Sequence, residues 1–160
     1  MEILGIGLHF EDLPLGRQFR TVGRTVTETD IVNFCTCTGM TEVLFTDLEF
    51  LRTESDIKGR VAPGALAYTF AEGLLVHATM QHTGFAFLEM DLKVHNPVFA
   101  GDTLHVECEV IEARPTSDGK RGLVRTRNRV LRQDGVVTLE YDPLRLLAAI
   151  GRYDETAAHS

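Results

Sequence analysis

The feature that most constrains the fold is a long apolar stretch in the middle of the chain. Between Ala65 and Met80 nearly every residue is apolar, and Glu72 and His77 are the exceptions. Pro63 and Gly64 come just before it, in the way that proline begins many helices. A helix that is apolar on nearly all sides has to be covered by other parts of a protein. The sequence therefore predicts a buried central helix.

After Gly84 the pattern of apolar residues changes to a period of two, which is typical of half-buried strands. Leu88 to Val94, Leu104 to Val110, Leu123 to Leu131 and Val136 to Tyr141 are the predicted strands. Turn signals separate the later ones, at 117–119 and at Asp134-Gly135. Four antiparallel strands are thus expected after the helix, with Pro143 ending or bending the last one.

The residues before the helix predict smaller elements. A loosely patterned strand covers 17–27, and Thr27 with Asp30 three residues later resembles a capping box that begins a short helix ending near Gly39. Residues 40–60 read as an irregular arm with a turn or two of helix. One long helix wrapped by an antiparallel sheet is an α+β architecture, the hot-dog fold. With 160 residues, we expect one domain over 1–151 and a C-terminal tail over 152–160.

Composition and charge exclude several classes of function. The formal net charge of −7 makes nucleic acid an unsuitable partner, because no general positive field attracts phosphates. The start of the chain has no basic region typical of a signal peptide, and Glu72 would be buried in lipid if the apolar stretch spanned a membrane. Three cysteines without metal-ligand spacing indicate free thiols in a reducing compartment. We therefore expect a cytoplasmic protein with no metal and no cofactor.

Three stretches together resemble the MaoC-like dehydratase family, which includes the (R)-specific enoyl-CoA hydratases. They are Phe10–Gly16 with Gly23–Asp30, Gly59–Gly64 leading into the long helix, and Asn96–Leu104 with its Pro-Val and Gly-Asp-Thr-Leu. The resemblance covers about residues 10 to 110. It implies the hot-dog fold, an acyl thioester of coenzyme A or of a carrier protein as the partner, and a homodimer or a heteromer with another hot-dog chain.

The family resemblance also shows what this chain lacks. Active hydratases carry an aspartate and a histidine between the short helix and the arm, where alignment on Gly39 places Met40 and Phe45. A thioether and a phenyl ring can neither take a proton from water nor deliver one to carbon. The family's oxyanion donor, a backbone N–H at the start of the long helix, corresponds to Gly64. Pro97 and Val98 of the third stretch are expected in one pocket with Met40 and Phe45, and Tyr68 either lines this pocket or is buried with its hydroxyl group hydrogen-bonded.

Three carboxylates are candidates to replace the missing pair. Glu72 is the sharpest, because a charged residue in an apolar helix is paired, protonated or catalytic. It lies eight residues after Gly64, close to the spacing in the 4-hydroxybenzoyl-CoA-type thioesterases, which also have the hot-dog fold. The alternative is a hydrogen bond from Tyr68 or a partner at a dimer interface. Glu42 and Asp47 repeat the spacing of the missing pair, shifted by two positions.

The sequence leaves three functions open. The first is a hydratase or dehydratase, a lyase with relocated acid and base groups, and the family resemblance favours it. The second is an acyl-CoA thioesterase that uses Glu72 and the Gly64 N–H. The third is a non-catalytic acyl-CoA-binding subunit of a hot-dog heteromer, which explains Met40 and Phe45 most simply. Arg125, Arg127 and Arg129 share a strand face that either meets coenzyme A phosphates or faces solvent.

Overall fold

The computed structural model describes residues 1–150, so the predicted tail over 152–160 lies outside the described residues. A single 3-10 turn at Phe10–Asp12 comes first. The helices are α1 (Glu28–Thr38), α2 (Val43–Thr46), α3 (Leu48–Thr53) and α4 (Gly64–Thr79). The strands are β1 (Gln18–Arg20), β2 (Arg24–Thr25), β3 (Gly84–Glu89), β4 (Leu92–Val94), β5 (Thr103–Pro115), β6 (Arg121–Leu131), β7 (Val137–Tyr141) and β8 (Leu144–Ala148).

All strand pairs in the sheet are antiparallel, and its centre is the long β5–β6 hairpin. The order β1-β5-β6-β7-β4 describes one half of the sheet. At the other half, β8 pairs with the first part of β6, and β3 pairs with β8. Because β3 and β4 follow each other in the chain and each has one strand partner, together they form one edge of the sheet.

Helix α4 packs its buried side chains against the inner face of the sheet. Leu66, Ala67, Phe70, Ala71 and Leu75 belong to the main core cluster. From the sheet, Val106, Val130 and Leu139 join the same cluster. This is the predicted α+β arrangement of one long helix wrapped by an antiparallel sheet, and the predicted buried helix is confirmed over Gly64–Thr79.

The predicted ends of α1 are also confirmed. Thr27 Oγ1 accepts a hydrogen bond from Asp30 N (3.1 Å), and Asp30 Oδ2 accepts one from Thr27 N (2.8 Å), which completes a capping box. The helix ends at Gly39, whose φ of 74° is a left-handed conformation that glycine adopts without strain. Residues 40–60 then form the expected irregular arm, with α2 and α3 as its short helices.

Two predictions about the strands need correction. The apolar alternation from Leu88 to Val94 predicted one half-buried strand, but the strand breaks between Glu89 and Leu92, and every residue of β4 is exposed. In addition, β8 was not predicted. Four of its five residues are buried, so the segment shows no alternation of apolar and polar residues. Arg145 at its second position is typical of a surface residue in the sequence, because arginine is seldom buried without a charged partner.

The outer face of the sheet carries a row of alternating charges. Arg20 lies opposite Glu107, and Glu107 lies opposite Arg129. Arg129 in turn lies opposite Glu140, which lies opposite Lys93. Arg129 is 3.4 Å from a carboxylate oxygen of each of its two neighbours. In this row, each acid therefore lies between two bases.

Hydrophobic side chains remain exposed on a different part of the surface. Phe85, Phe87 and Leu88 on β3 are 44–51% exposed, and Val94 on β4 is 58% exposed. Helix α4 also leaves Ala65, Thr69, Gly73 and Val76 exposed at helical spacing. We call these residues of α4 and of the β3–β4 edge the uncovered face. The expectation that protein surrounds the helix on all sides is therefore not met within residues 1–150.

The segment before β1 crosses the sheet at a glycine. A Cβ atom placed on Gly122 of β6 would lie 1.9 Å from a carbon of the Phe10 ring, far inside contact distance. The ring thus occupies the space that a side chain at position 122 would need. Only glycine allows the chain to approach this closely.

Candidate functional site

A pocket of about 310 Å³ lies where the arm, the start of α4 and the end of β4 meet. Four of the predicted site residues line it: Phe45, Gly64, Pro97 and Val98. The other lining side chains are mostly aliphatic and include Leu44, Ile57, Val61, Ala62, Ala67, Val94 and Leu139. Such a lining binds an apolar group better than a charged one.

Backbone pairing between two of the family-like stretches forms one wall of this pocket. Ala62 N donates to Val98 O (2.8 Å), and Ala100 N donates to Arg60 O (2.9 Å). Phe99, between them, bridges to Val61 and donates its own N–H to Asp102 Oδ2 (2.8 Å). The stretches 59–64 and 96–104 are therefore neighbours in space, and together they fix where α4 begins.

The amide of Gly64 lies at an uncapped helix start. Pro63 supplies no side-chain hydrogen bond to the first turn of α4, and its carbonyl accepts from Leu66 N (2.9 Å). The first amides of a helix have no partner within the helix, and the helix dipole makes this end favourable for negative charge. A Cβ at Gly64 would meet Val94 Cγ2 at 3.9 Å. The pocket thus has an N–H donor beside an aliphatic wall.

Met40 and Phe45 stand at the positions where the family resemblance leads us to expect an acid and a base. Phe45 is partly buried against the main core cluster, and its carbonyl oxygen accepts a hydrogen bond from Arg60 Nη1. Met40 is 37% exposed and is not among the residues that line the pocket. Neither side chain can transfer a proton.

Glu42 and Asp47 cap the short helices of the arm. Glu42 Oε2 accepts from Leu44 N (2.7 Å), and Asp47 Oδ1 accepts from Glu49 N and Phe50 N (both 3.0 Å). Both carboxylates are therefore engaged with the backbone of the arm. Neither is among the residues that line the pocket.

Glu72 is held by two residues of the sheet. Its carboxylate oxygens each lie 2.6 Å from Arg145 Nη2, and Oε1 also accepts from the Tyr141 hydroxyl (2.8 Å). Within residues 1–150, Tyr68 does not donate a hydrogen bond to Glu72, and its ring instead meets that of Tyr141 edge-on, at 5.3 Å between centroids. The carboxylate is thus paired, as one sequence-based alternative expected, but with other residues. It does not line the pocket.

Burial shifts the proton equilibria of the groups around Glu72. It raises the pKa of Tyr68, and the charge of Glu72 acts in the same direction. It raises the pKa of Tyr141 in the same way. Burial also raises the pKa of the Cys108 thiol to about 12, so this thiol stays protonated at neutral pH. The cluster is therefore built around one ion pair with neutral neighbours.

His95 is the one ionisable side chain whose residue lines the pocket within the described chain. Its Nε2 lies 3.2 Å from Glu140 Oε2. Leu139 and Tyr141 belong to the core, so Glu140 between them points to the outer face of the sheet. The imidazole is consequently turned away from the pocket interior. The three arginines of β6 are likewise paired with acids, Arg125 with Glu89 and Glu112, Arg127 with Glu109, and Arg129 with Glu107 and Glu140.

Sequence reasoning missed Arg60, Tyr141 and Arg145 as residues that organise the site. Arg60 belongs to the Gly59–Gly64 stretch that carries the family resemblance, and that was the available signal. Tyr141 and Arg145 lie 69 and 73 residues from Glu72 in sequence, so no local pattern connects them. Over residues 1–150, no helix is long and apolar enough to cross a membrane. In the same range, no group of three or more His, Cys, Asp or Glu residues forms a candidate metal site.

The MaoC-like domain model matches residues 11–132, and the chain therefore belongs to the MaoC-like domain family. This stretch contains the arm, α4 and the loop at 96–104. A search of curated proteins finds no match.

Solved structures similar to this chain share its fold. A monoamine oxidase regulatory protein from Archaeoglobus fulgidus is 29% identical, with a TM-score of 0.79, over 92% of this chain and 99% of that one. The (R)-hydratase PhaJ1 from Pseudomonas aeruginosa is 24% identical, with a TM-score of 0.74, over 89% and 86%. A Mycobacterium tuberculosis protein with a double hot-dog fold is 24% identical, with a TM-score of 0.78, over 91% and 45%. The fold of the present chain is thus the hot-dog fold, and one relative carries two such units.

Proposed function

We propose that this protein binds an acyl thioester, with the acyl chain in the pocket between the arm and α4. The observation that carries the proposal is the pocket itself, which combines an aliphatic lining with the amide end of a long helix at Gly64. Membership of a dehydratase family supports the same ligand class. Coenzyme A and a carrier protein both present the same acyl group as a thioester, so the proposal covers both carriers.

In this proposal, the Gly64 N–H donates to the thioester carbonyl oxygen. Backbone donors at a helix start favour an oxygen on which negative charge develops, and they need no reorganisation to do so. The aliphatic side chains of Val61, Ala67 and Val98 would contact the acyl chain. Each buried CH₂ group contributes roughly 0.8 kcal/mol to such binding.

The same pocket supplies no group for the proton transfers of a hydratase. Adding water to an enoyl thioester needs a base for the water and an acid for the α-carbon. Within residues 1–150, no carboxylate lines the pocket, and the imidazole of His95 is turned away from it. We therefore propose that the chain alone binds the thioester without hydrating it.

A thioesterase reaction at Glu72 is less well supported. The carboxylate already accepts hydrogen bonds from Arg145 and Tyr141, and an attack on a thioester would require these bonds to break. Glu72 also lies outside the pocket that contains the Gly64 amide. A base and an oxyanion donor have to reach the same carbonyl group to act together.

A second hot-dog unit would complete the protein. The uncovered face is apolar, and a similar structure contains two such folds in one chain. We propose that another copy of this chain or a related hot-dog chain covers this face. In the related-chain case the partner would provide the acid and the base, and the present chain would be the acyl-binding, non-catalytic subunit.

Isothermal titration with coenzyme A, butyryl-CoA and octanoyl-CoA tests the proposal. We expect octanoyl-CoA to bind at least about tenfold more tightly than free coenzyme A, because burying two CH₂ groups already supplies roughly that factor. Crotonyl-CoA should show no hydration by the wild-type chain. Equal affinity for coenzyme A and its acyl esters would exclude the pocket as an acyl site.

Substitutions at the two positions of the absent pair test the non-catalytic assignment from the other side. Phe45→His places an imidazole in the pocket lining, whereas Met40→Asp places a carboxylate outside it, so the double substitution should not introduce hydration of crotonyl-CoA in the chain alone, with each single substitution as its control. Rapid hydration by the wild-type protein would contradict the assignment as a non-catalytic chain. Release of free thiol by the wild type that disappears in Glu72→Gln would instead establish the thioesterase.

A further inference from the structure

Residues 41–57, the part of the arm that contains α2 and α3, are hydrogen-bonded almost entirely to themselves. The capping bonds of Glu42 and Asp47 lie within the segment, as does the bond from Arg52 Nε to Glu49 Oε2 (3.0 Å). Thr41 N donates to the nearby Gly39 O (2.9 Å) at the start of the segment. In the described chain, the one other hydrogen bond between this segment and the rest of the protein joins Phe45 O to Arg60.

Arg60 connects three parts of the molecule. Its Nη1 donates to Phe45 O on α2, and its Nε lies 2.6 Å from Glu28 Oε1 on the first turn of α1. Its backbone carbonyl accepts from Ala100 N (2.9 Å) in the loop that forms the pocket wall. The side chain is only 15% exposed, whereas that of Glu28 is 54% exposed. The guanidinium is thus fixed between α1 and the arm, and its planar fork serves both at once.

The pocket depends on where the arm lies. Leu44, Phe45 and Ile57 come from residues 41–57 and line the pocket opposite α4. A segment with few bonds to the rest of a protein opens locally at lower free energy than the core does. The bond to Phe45 O is made at the middle of this wall, next to the ring that stands where the family has its histidine. Loss of that bond would leave the wall held by apolar contacts alone, including those of Phe45 and of the buried Leu51, while the sheet and α4 stay folded.

We propose that Arg60 is a positioning residue that holds the arm against the pocket and thereby sets which acyl chains fit. The part that concerns acyl chains rests on the proposed function. The part that concerns the arm does not, because it follows from the hydrogen bonds alone.

Hydrogen exchange and ligand titration of the full chain test the two parts separately. We expect Arg60→Met to increase amide exchange in residues 42–57 by tenfold or more, while exchange in β5 and β6 stays the same. We also expect the wild type to prefer octanoyl-CoA over butyryl-CoA by tenfold or more, because the two acyl chains differ by four CH₂ groups. In Arg60→Met this preference should fall to less than threefold, with the affinity for free coenzyme A unchanged. Arg60→Lys keeps the charge beside Glu28 but not the planar fork of the guanidinium. Its exchange rate in the arm and its chain-length preference should therefore lie between those of the wild type and of Arg60→Met.

Arg52→Met is the matched control. Arg52 is an arginine of the same arm whose side chain bonds, among the described residues, only to Glu49 within α3, so its removal should change neither the exchange nor the chain-length preference. Equal exchange in the Arg60 and Arg52 variants would overturn the role of Arg60 in holding the arm. Faster exchange with an unchanged chain-length preference would overturn its role in specificity. If the wild type binds no acyl-CoA, the proposed function fails, and the exchange result still decides whether Arg60 holds the arm.

Discussion

The outer face of the sheet and the uncovered face differ in what each needs from its surroundings. On the outer face, the row from Arg20 to Lys93 alternates in sign across five strands, so each charge has an opposite neighbour. On the uncovered face, Phe87, Leu88 and Val94 are exposed, and Val76 of α4 lines the same surface pocket as Phe87. The outer face is well solvated and needs no partner. The uncovered face is stabilised when another protein surface buries its apolar side chains.

The proposed acyl pocket borders one of these two surfaces and not the other. The three arginines of β6 belong to the outer face and are paired with glutamates, so a phosphate of coenzyme A would have to compete with these carboxylates. The pocket, in contrast, reaches the uncovered face at Val94. A partner on that face would therefore lie next to the proposed thioester site.

The largest expected effect is on assembly. Leu88→Lys places a charge on the exposed edge strand β3, and lysine on an edge strand opposes pairing with another strand. We expect the weight-average mass in sedimentation to fall from that of a two-unit assembly to that of one chain. Val22→Lys, at a residue that is 75% exposed between β1 and β2, should leave the mass unchanged. A wild-type protein that sediments as a single chain at high concentration would mean that no second copy covers this face.

A smaller effect is expected on the outer face. Arg129→Glu would place three acids side by side in the row, because Glu107 and Glu140 flank this position. Exposed ion pairs contribute little, so we expect the free energy of unfolding to fall by about 1 kcal/mol, and by less at high salt. Urea unfolding at two salt concentrations measures both. A loss that does not depend on salt would mean that packing of the arginine stem, and not its charge, matters here.

The smallest expected effect is on thermal stability at acidic pH. Hydrogen bonds from Arg114 and then Arg125 lower the pKa of Glu112 in the folded protein. A carboxylate with a lowered folded-state pKa contributes stability above its unfolded pKa, near 4.3, and that contribution is lost as pH falls through the folded value. Glu112→Gln should therefore slightly reduce the fall in melting temperature between pH 5 and pH 3. An unchanged pH profile would indicate that this pair is screened by solvent.

The sequence predicted those elements whose signals are local. Thr27 with Asp30 marked the start of α1, and Pro63 with Gly64 marked the start of α4. Periodicity identified β5 and β6, since they alternate between a packed core and a solvated face. The same periodicity could not tell that the face around Leu88 lies open, because alternation shows which side is apolar and not what covers it.

The candidate site was predicted only where local sequence signals identify its residues. Gly64, Pro97 and Val98 lie in family-like stretches, Phe45 was found by alignment on Gly39, and all four line one pocket. Glu72 was recognised as a residue in need of a partner, but its partners lie on β7 and β8, far away in the sequence. β8 was missed because its burial depends on that pairing. Whether any of these residues takes part in a reaction stays a prediction.

The contact between Phe10 and Gly122 has a consequence for comparing homologues. Since the ring fills the space of a side chain at position 122, an aromatic residue at the first position and anything larger than glycine at the second exclude each other. The two positions can therefore be read together from an alignment. Where both residues are kept, the leading segment of the homologue crosses its sheet as it does here; where the glycine is replaced, that segment has taken another path.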